Sequence, residues 1–196
     1  MMFQEPFGGL ITGARGAVLS LLLRTGARPT GRKLHSLLEG EFSLWSVQQA
    51  LKGLVELGVV DRAVVGSSSV YSINEEHMAI PPLRLLIDPL ASLTRVIAEA
   101  TDDVAVDAVV LFGSTAAGES NAASDIDLAI IGSDPIDPGR LAECVHAATG
   151  NACDVLLFSP EEFDEARRRG EPVVADIIRD GVPLIGAIPR HGAKAG

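Results

Sequence analysis

The stretch LFGSTAAGESNAASDIDLAI, residues 111–130, constrains this chain more than any other. One apolar run ends on Gly113-Ser114, ten small or polar residues follow, and the next apolar run opens on Asp125-Ile126-Asp127. Side chains alternate faces along a strand, so Asp125 and Asp127 project to one side and Ile126 is buried on the other. A polar surface loop has no need of two carboxylates at the mouth of a buried strand. DAVVLFG reads as the strand before the loop, DIDLAIIG as the strand after it and CDVLLFS as a third. Asp154, near the start of that third strand, can supply a further carboxylate from a neighbouring position.

Converging carboxylates about 4 Å apart repel by roughly 4 kcal/mol at an effective dielectric of 20. A divalent cation is the natural compensation. Hard oxygen ligands, completed by water and phosphate oxygens, describe Mg²⁺ or Mn²⁺. Gly113 lets the backbone turn tightly towards a phosphate, and Ser114 offers a hydroxyl and the start of a helix whose free N–H groups attract anions. The ligand these features suit is a nucleoside triphosphate. Competing explanations of the Asp pair fit less of the pattern. A dehalogenase-like phosphatase places its Asp-x-Asp after a buried apolar strand, an EF-hand needs further ligands where Ala129 stands, and a Walker loop needs Gly-Lys-Ser/Thr. A solvated or capping Asp pair explains Asp125 but not Gly113-Ser114 and Asp154 with it.

Helical segments alternate with these strands: PLASLTRVIAEATD, DPGRLAECVHAATG, the segment after Ser159, and PVVADIIRDG. That alternation gives an α/β class for the second half. Ser159-Pro160-Glu161-Glu162 combines a cap, a first-turn proline and the returning Glu of a capping box. Arg167, Arg168 and Arg169 precede Gly170, so their first reading is cations at a helix C-terminus. Residues 188–196 are expected to be a mobile tail.

Gly-Ser, ten residues and Asp-x-Asp resemble the signature of the nucleotidyltransferase superfamily related to DNA polymerase beta, most closely its minimal bacterial branch. The likeness covers about residues 88–187. It implies a mixed sheet flanked by helices and two-metal transfer of a nucleotidyl group from an NTP, ATP first, to an acceptor hydroxyl. It further implies that Asp125 and Asp127 bind both metals, that Asp154 helps to activate the nucleophile, and that Gly113 and Ser114 hold the triphosphate. Many relatives carry a basic residue just before the glycine that is Gly118 here, where this chain has Ala117. Arg140 and Arg95 are the candidate substitutes.

The first half has another character. Residues 1–80 hold seven Lys/Arg and seven Asp/Glu, so the whole net charge of −10 belongs to the rest of the chain. Two halves with different electrostatics suggest two jobs. Val18, Leu19, Leu22 and Leu23 mark one helix, and Thr30 caps a second carrying Leu34, Leu37 and Leu38. Ser43 caps a third in which Leu44, Val47, Leu51, Leu54 and Val55 recur at helical spacing. VVDRAVV and VYSIN, joined by GSSS, read as a hairpin. The order resembles bacterial winged helix-turn-helix regulators over most of residues 13–77. By that resemblance residues 1–79 bind duplex DNA. Gln48 and Gln49 then reach adenine edges in the major groove, with Lys52 on the same helix, and Arg28, Arg32, Lys33 and Arg62 contact phosphates. Between Arg15 and Lys52 six basic residues face only Glu39 and Glu41, and a homodimer would present that bias twice. An amphipathic three-helix unit also serves as a protein-interaction module, the bland alternative.

Pro81-Pro82 puts the boundary near residue 80, giving a winged helix over 1–79 and a nucleotidyltransferase domain over 80–187. No apolar run approaches the roughly 20 residues of a membrane span, and MMFQEPFGGL lacks the basic start of a secretory signal. With only Cys144 and Cys153, read as small buried apolar residues, a cytoplasmic protein without membrane attachment is expected. The acceptor is expected to be a protein or an RNA. The rival expectation is a DNA-binding regulator, or an antitoxin-type protein, whose second domain only senses nucleotide or mediates assembly.

Overall fold

Residues 1–38, 40–119 and 121–189 are described by the structure, a computed structural model. They divide into two units, one of Glu5–Pro89 and one of Met1–Gln4 with the chain from Leu90 onward.

In the first unit, helix α1 (Gly13–Thr25) buries Val18, Leu19, Leu22 and Leu23 and ends on Gly26, whose φ of 60° supplies a left-handed cap. Thr30 accepts from the Lys33 N–H at the start of α2 (Gly31–Leu37), and Ser43 accepts from the Ser46 N–H at the start of α3 (Leu44–Glu56). Each cap satisfies a backbone donor the helix leaves open. Strands β1 (Val60–Val65) and β2 (Ser68–Ile73) pair antiparallel. Their turn is Gly66-Ser67, shorter than the expected GSSS tip, because Ser68 and Ser69 pair with Val65 and Val64. Gly66 has φ of 61°, as a two-residue hairpin loop requires. Helix α4 (Ile80–Leu86) corrects a second expectation. Pro81-Pro82 lie in its first turn, where a missing N–H costs nothing, so they open a helix instead of breaking the chain. Ile80 joins the first core, and the break between units falls at Pro89/Leu90.

The second unit runs α5 (Pro89–Ala100), β3 (Ala108–Phe112), α6 (Gly113–Ala117), β4 (Ile126–Ile131), α7 (Pro138–Thr149) and β5 (Cys153–Phe158). It closes with α8 (Pro160–Arg169), α9 (Pro172–Asp180) and β6 (Val182–Gly186). The sheet has the order β5-β4-β3-β6; β4 and β5 are parallel, and β3 is antiparallel to both neighbours. It is thus a mixed sheet with helices on both faces. Ile126, Leu128 and Ile130 of β4 pack with Val109 and Leu111 against Leu93, Ile97, Leu141 and Val145 of α5 and α7. Ala129 and Ile131 pack with Ala108 and Val110 against Phe163, Ala166, Val174 and Ile177 of α8 and α9. Alternation puts Asp127 on this second face.

The capping box of Ser159 and Glu162 forms at the start of α8, and the Ser159 backbone N–H, the largest cause, holds the Glu162 carboxyl below its usual range. At the other end Arg167 pairs with Asp164 at 3.0 Å, and Arg169 with Glu165 and Glu171. Strand β6 is additional to the three strands read from the sequence; it is an edge strand with a register shift opposite Val109/Val110, where its Pro183 is tolerated. Of the expected tail, Ile188 is buried in the second core, and residues 190–196 lie outside the described residues. Among the described residues no helix is long and apolar enough to cross a membrane.

Candidate active site

Gly113 ends β3 and begins α6 with φ of 69°, a conformation that favours glycine. It also lies against the carboxylate of Asp127: a β-carbon on Gly113 would fall on Asp127 Oδ2, with Cγ only 3.0 Å away. Glycine is therefore required twice here, once by the backbone and once by the neighbour. The register explains the approach, since Phe112 is the partner of Asp127 across the β3–β4 pair. On the other side of β4, Asp127 is paired with Asp154 of β5, so the two aspartates stand side by side on one face. Asp125 lies just before β4. It is exposed, as are Asp154, Gly113 and Ser114, whereas Asp127 is half-buried.

Burial, and then the charges of Asp154 and Asp125, push the Asp127 carboxyl above its usual range. The same surroundings act on Cys153, whose thiol is pushed up to about 12 by burial first and then by Asp154 and Asp127. At neutral pH it is a protonated, inert thiol. Both cysteines are free. Among the described residues no three Asp, Glu, His or Cys side chains close into a metal cage. The expected convergence of three carboxylates is thus realised as an adjacent pair, Asp127 and Asp154, with Asp125 close enough to act through its charge. An open pair still suits Mg²⁺, which keeps several waters and is bound through one or two carboxylates plus substrate phosphates. This pair of hard oxygen donors, Asp127 and Asp154, with Asp125 nearby, fits a divalent cation.

Two further residues hold these elements together. Thr115 Oγ1 donates to the Asp125 carbonyl at 3.1 Å, and Asn151 Nδ2 donates to the Ser124 carbonyl at 2.9 Å. Neither was singled out from sequence. Their partners are backbone atoms ten and 27 residues away, for which a local pattern carries no signal.

Arg95 and Arg140 do not replace the cation missing at Ala117. They are exposed on α5 and α7, the helices that cover the face of the sheet opposite Asp127. Arg140 also sits in the first turn of α7, which follows the end of β4, whereas Asp127 is near its beginning. A cavity of about 370 Å³ lined by Ile130, Asp134, Leu157, Phe158 and Glu162 lies at that same far end and does not include Asp125, Asp127 or Asp154.

In the first unit Gln48, Gln49 and Lys52 lie on the exposed face of α3, and Arg32 and Lys33 are exposed in the first turn of α2. Arg28 is exposed between α1 and α2, and Arg62 on β1 donates from Nε to Ser69 Oγ at 2.9 Å. Lys52 lies 3.8 Å from Glu56 on the same helix, both exposed.

Residues 95–186 match the family model described as polymerase beta, nucleotidyltransferase. The matched span runs from within α5 to the end of β6 and contains Gly113, Ser114 and all three aspartates. That span, a little under half of the chain, is thus similar to nucleotidyltransferases of the polymerase beta type. Among solved structures it is similar to a toxin–antitoxin crystallised with AMP-PNP, at 23% identity and a TM-score of 0.37 over 48% of this chain and 73% of that one. A mutant of the toxin–antitoxin MntA-HpeT is similar at 21% identity and a TM-score of 0.37 over the same shares. A comparison with curated proteins gave no match.

Proposed function

We propose that the protein is a metal-dependent nucleotidyltransferase acting in the cytoplasm, which transfers a nucleotidyl group from an NTP, ATP first, to a hydroxyl of a protein or RNA acceptor. The observation that carries this reading is the pairing of Asp127 with Asp154, with Gly113 pressed against the Asp127 carboxylate, inside a span matched to the nucleotidyltransferase family. Asp125 and Asp127 would hold the Mg²⁺ or Mn²⁺. Asp154 helps to take the proton from the acceptor hydroxyl as its oxygen attacks the α-phosphorus. Gly113 and Ser114 hold the triphosphate, the glycine by leaving room beside Asp127 and the serine through its hydroxyl and backbone N–H. Bound metal would neutralise the phosphate charge and favour departure of pyrophosphate.

Within the same reading, Glu5–Pro89 is a winged helix-turn-helix that binds duplex DNA through α3, with Gln48 and Gln49 towards base edges. Arg28, Arg32, Lys33, Lys52 and Arg62 are directed to phosphates. The capped second and third helices, the exposed polar face of α3 and the following hairpin support it. A second reading draws on Ala117 and on the placement of Arg95 and Arg140 on helices that cover the opposite face of the sheet: a regulator or antitoxin-type protein whose second unit senses nucleotide without transferring it.

The test is incubation of the full chain and its Asp127→Asn variant with α-labelled ATP, Mg²⁺ and host lysate. Label on a macromolecule with wild type and none with the variant is expected. No label from wild type, together with a nucleotide-dependent rise in melting temperature, favours the sensor; neither label nor a shift defeats both readings. A ligand at a hundred times its dissociation constant stabilises by about 2.7 kcal/mol, enough to be seen in a melt.

A further inference from the structure

Two buried polar side chains lie beneath the segment that delivers the aspartates, and neither belongs to the Gly-Ser or Asp-x-Asp signature. Thr115 is 4% exposed, and besides its bond to the Asp125 carbonyl, its own carbonyl accepts from Gln4 Nε2 at 3.0 Å. Asn151 is also 4% exposed, and its Nδ2 donates to the carbonyls of Ser124 at 2.9 Å and Ala122 at 3.3 Å. The amide is itself fixed. Its backbone N–H donates to Thr149 Oγ1 at 3.2 Å, its carbonyl meets His146 Nδ1 at 3.0 Å, and its Oδ1 accepts from the Met1 nitrogen. A buried amide is costly unless bonded, and this one spends both donors on the two carbonyls leading into Asp125.

Asp125 is exposed at the mouth of β4, and the backbone that carries it is held by Thr115 from α6 and Asn151 from the turn before β5. Those elements also carry Gly113 and Ser114 on one side and lead to Asp154 on the other. A single pair of side chains therefore ties all parts of the site to a common geometry.

We propose that Thr115 and Asn151 are positioning residues that hold Ala122–Asp125 so that Asp125 and Asp127 meet a divalent cation beside Asp154. This rests on the reading of the site as a metal and nucleotide centre. Groups that orient metal ligands without touching the metal commonly govern affinity by about 10- to 100-fold. Thr115→Val keeps the shape and removes the hydroxyl; Thr115→Ser restores the hydroxyl and removes the methyl.

The experiment titrates the full chain with Mn²⁺ alone and reads free Mn²⁺ by electron paramagnetic resonance. Wild type, Thr115→Val, Thr115→Ser and Asn151→Ala are compared, each first shown by circular dichroism to be folded. Weakening by about 10-fold or more is expected in Thr115→Val and Asn151→Ala, with Thr115→Ser close to wild type. Unchanged affinity in folded Thr115→Val overturns the proposal, and so does a Thr115→Ser variant as weak as Thr115→Val, because packing of the methyl would then be the cause. Should Asn151→Ala not fold, the Thr115 pair decides. Wild type that takes up no Mn²⁺ at millimolar concentration overturns the metal reading itself, an outcome distinct from equal binding by all four proteins.

Discussion

At the scale of the residue, Asp127 is a position where the proposed activity and stability pull apart. Its carboxyl is raised above the usual range by burial first and by the charges of Asp154 and Asp125 after it. A carboxyl with a raised folded pKa holds its proton more tightly in the folded than in the unfolded chain. The stability it gives is fully present below the unfolded value of about 4, and is lost as the pH climbs through the folded pKa. Once deprotonated, Asp127 therefore weighs against the metal-free fold. Asp127→Asn, nearly the same size and uncharged, is expected to raise the metal-free melting temperature at pH 7 by on the order of 2 °C. The gain should shrink as the pH falls through the folded pKa and vanish below about pH 4, where both states of wild type are protonated too. Adding Mn²⁺ and ATP should reverse the order. A variant that melts below wild type at pH 7 without metal would mean that the carboxylate is paid back by contacts other than the proposed ion.

At the scale of the element, helix starts and strand mouths were the legible parts. Thr30, Ser43 and Ser159 could be read as caps because a cap needs only a hydroxyl and a backbone N–H two or three residues on, and all three caps form. The Gly-Ser turn and the Asp-x-Asp strand could be read for the same reason: glycine's freedom and the two-residue period of a strand are local. What sequence did not yield depends on pairing across the chain. Asn151 is recognisable only through carbonyls 27 and 29 residues away, and β6 only through β3, since its proline argues against a strand until its edge position is known. Pro81-Pro82 are ambiguous in sequence because the same dipeptide can end one segment or begin another, and here they open α4, whose Ile80 packs into the first core. The local features also predict a measurable cost. Ser159→Ala removes the acceptor for the Glu162 N–H at the head of α8, and about 1 kcal/mol should be lost. In urea the midpoint for the second unit should fall with an unchanged slope; an unchanged midpoint would show that α8 is held by Phe163 and Ala166 alone.

At the scale of the whole molecule, charge separates the two interactions that the proposed function asks of the same chain. Residues 1–80 are neutral in sum, and the net −10 lies in the remainder, so any approach to duplex DNA is opposed by the chain's overall field and favoured only locally. Binding under those conditions has to come from a few well-placed cations, and a salt titration counts them. Arg28, Arg32, Lys33, Lys52 and Arg62 are exposed, and neither the Arg62 bond to Ser69 nor the Lys52 approach to Glu56 is buried. If all five meet phosphates, the logarithm of the affinity of the full chain should fall with the logarithm of salt at a slope of about −4 to −5. Arg32→Ala should reduce that slope by about 1 and weaken every sequence alike. Gln48→Ala or Gln49→Ala should leave the slope unchanged and cost roughly 1 to 3 kcal/mol on a preferred sequence selected from a random duplex library. These two kinds of change report on different contacts, so they can fail separately. A normal slope without an enriched sequence would make the first unit a non-specific DNA anchor. No retention on duplex DNA even at low salt would instead turn the exposed face of α3, with Trp45 69% exposed at its head, into a surface for a protein partner.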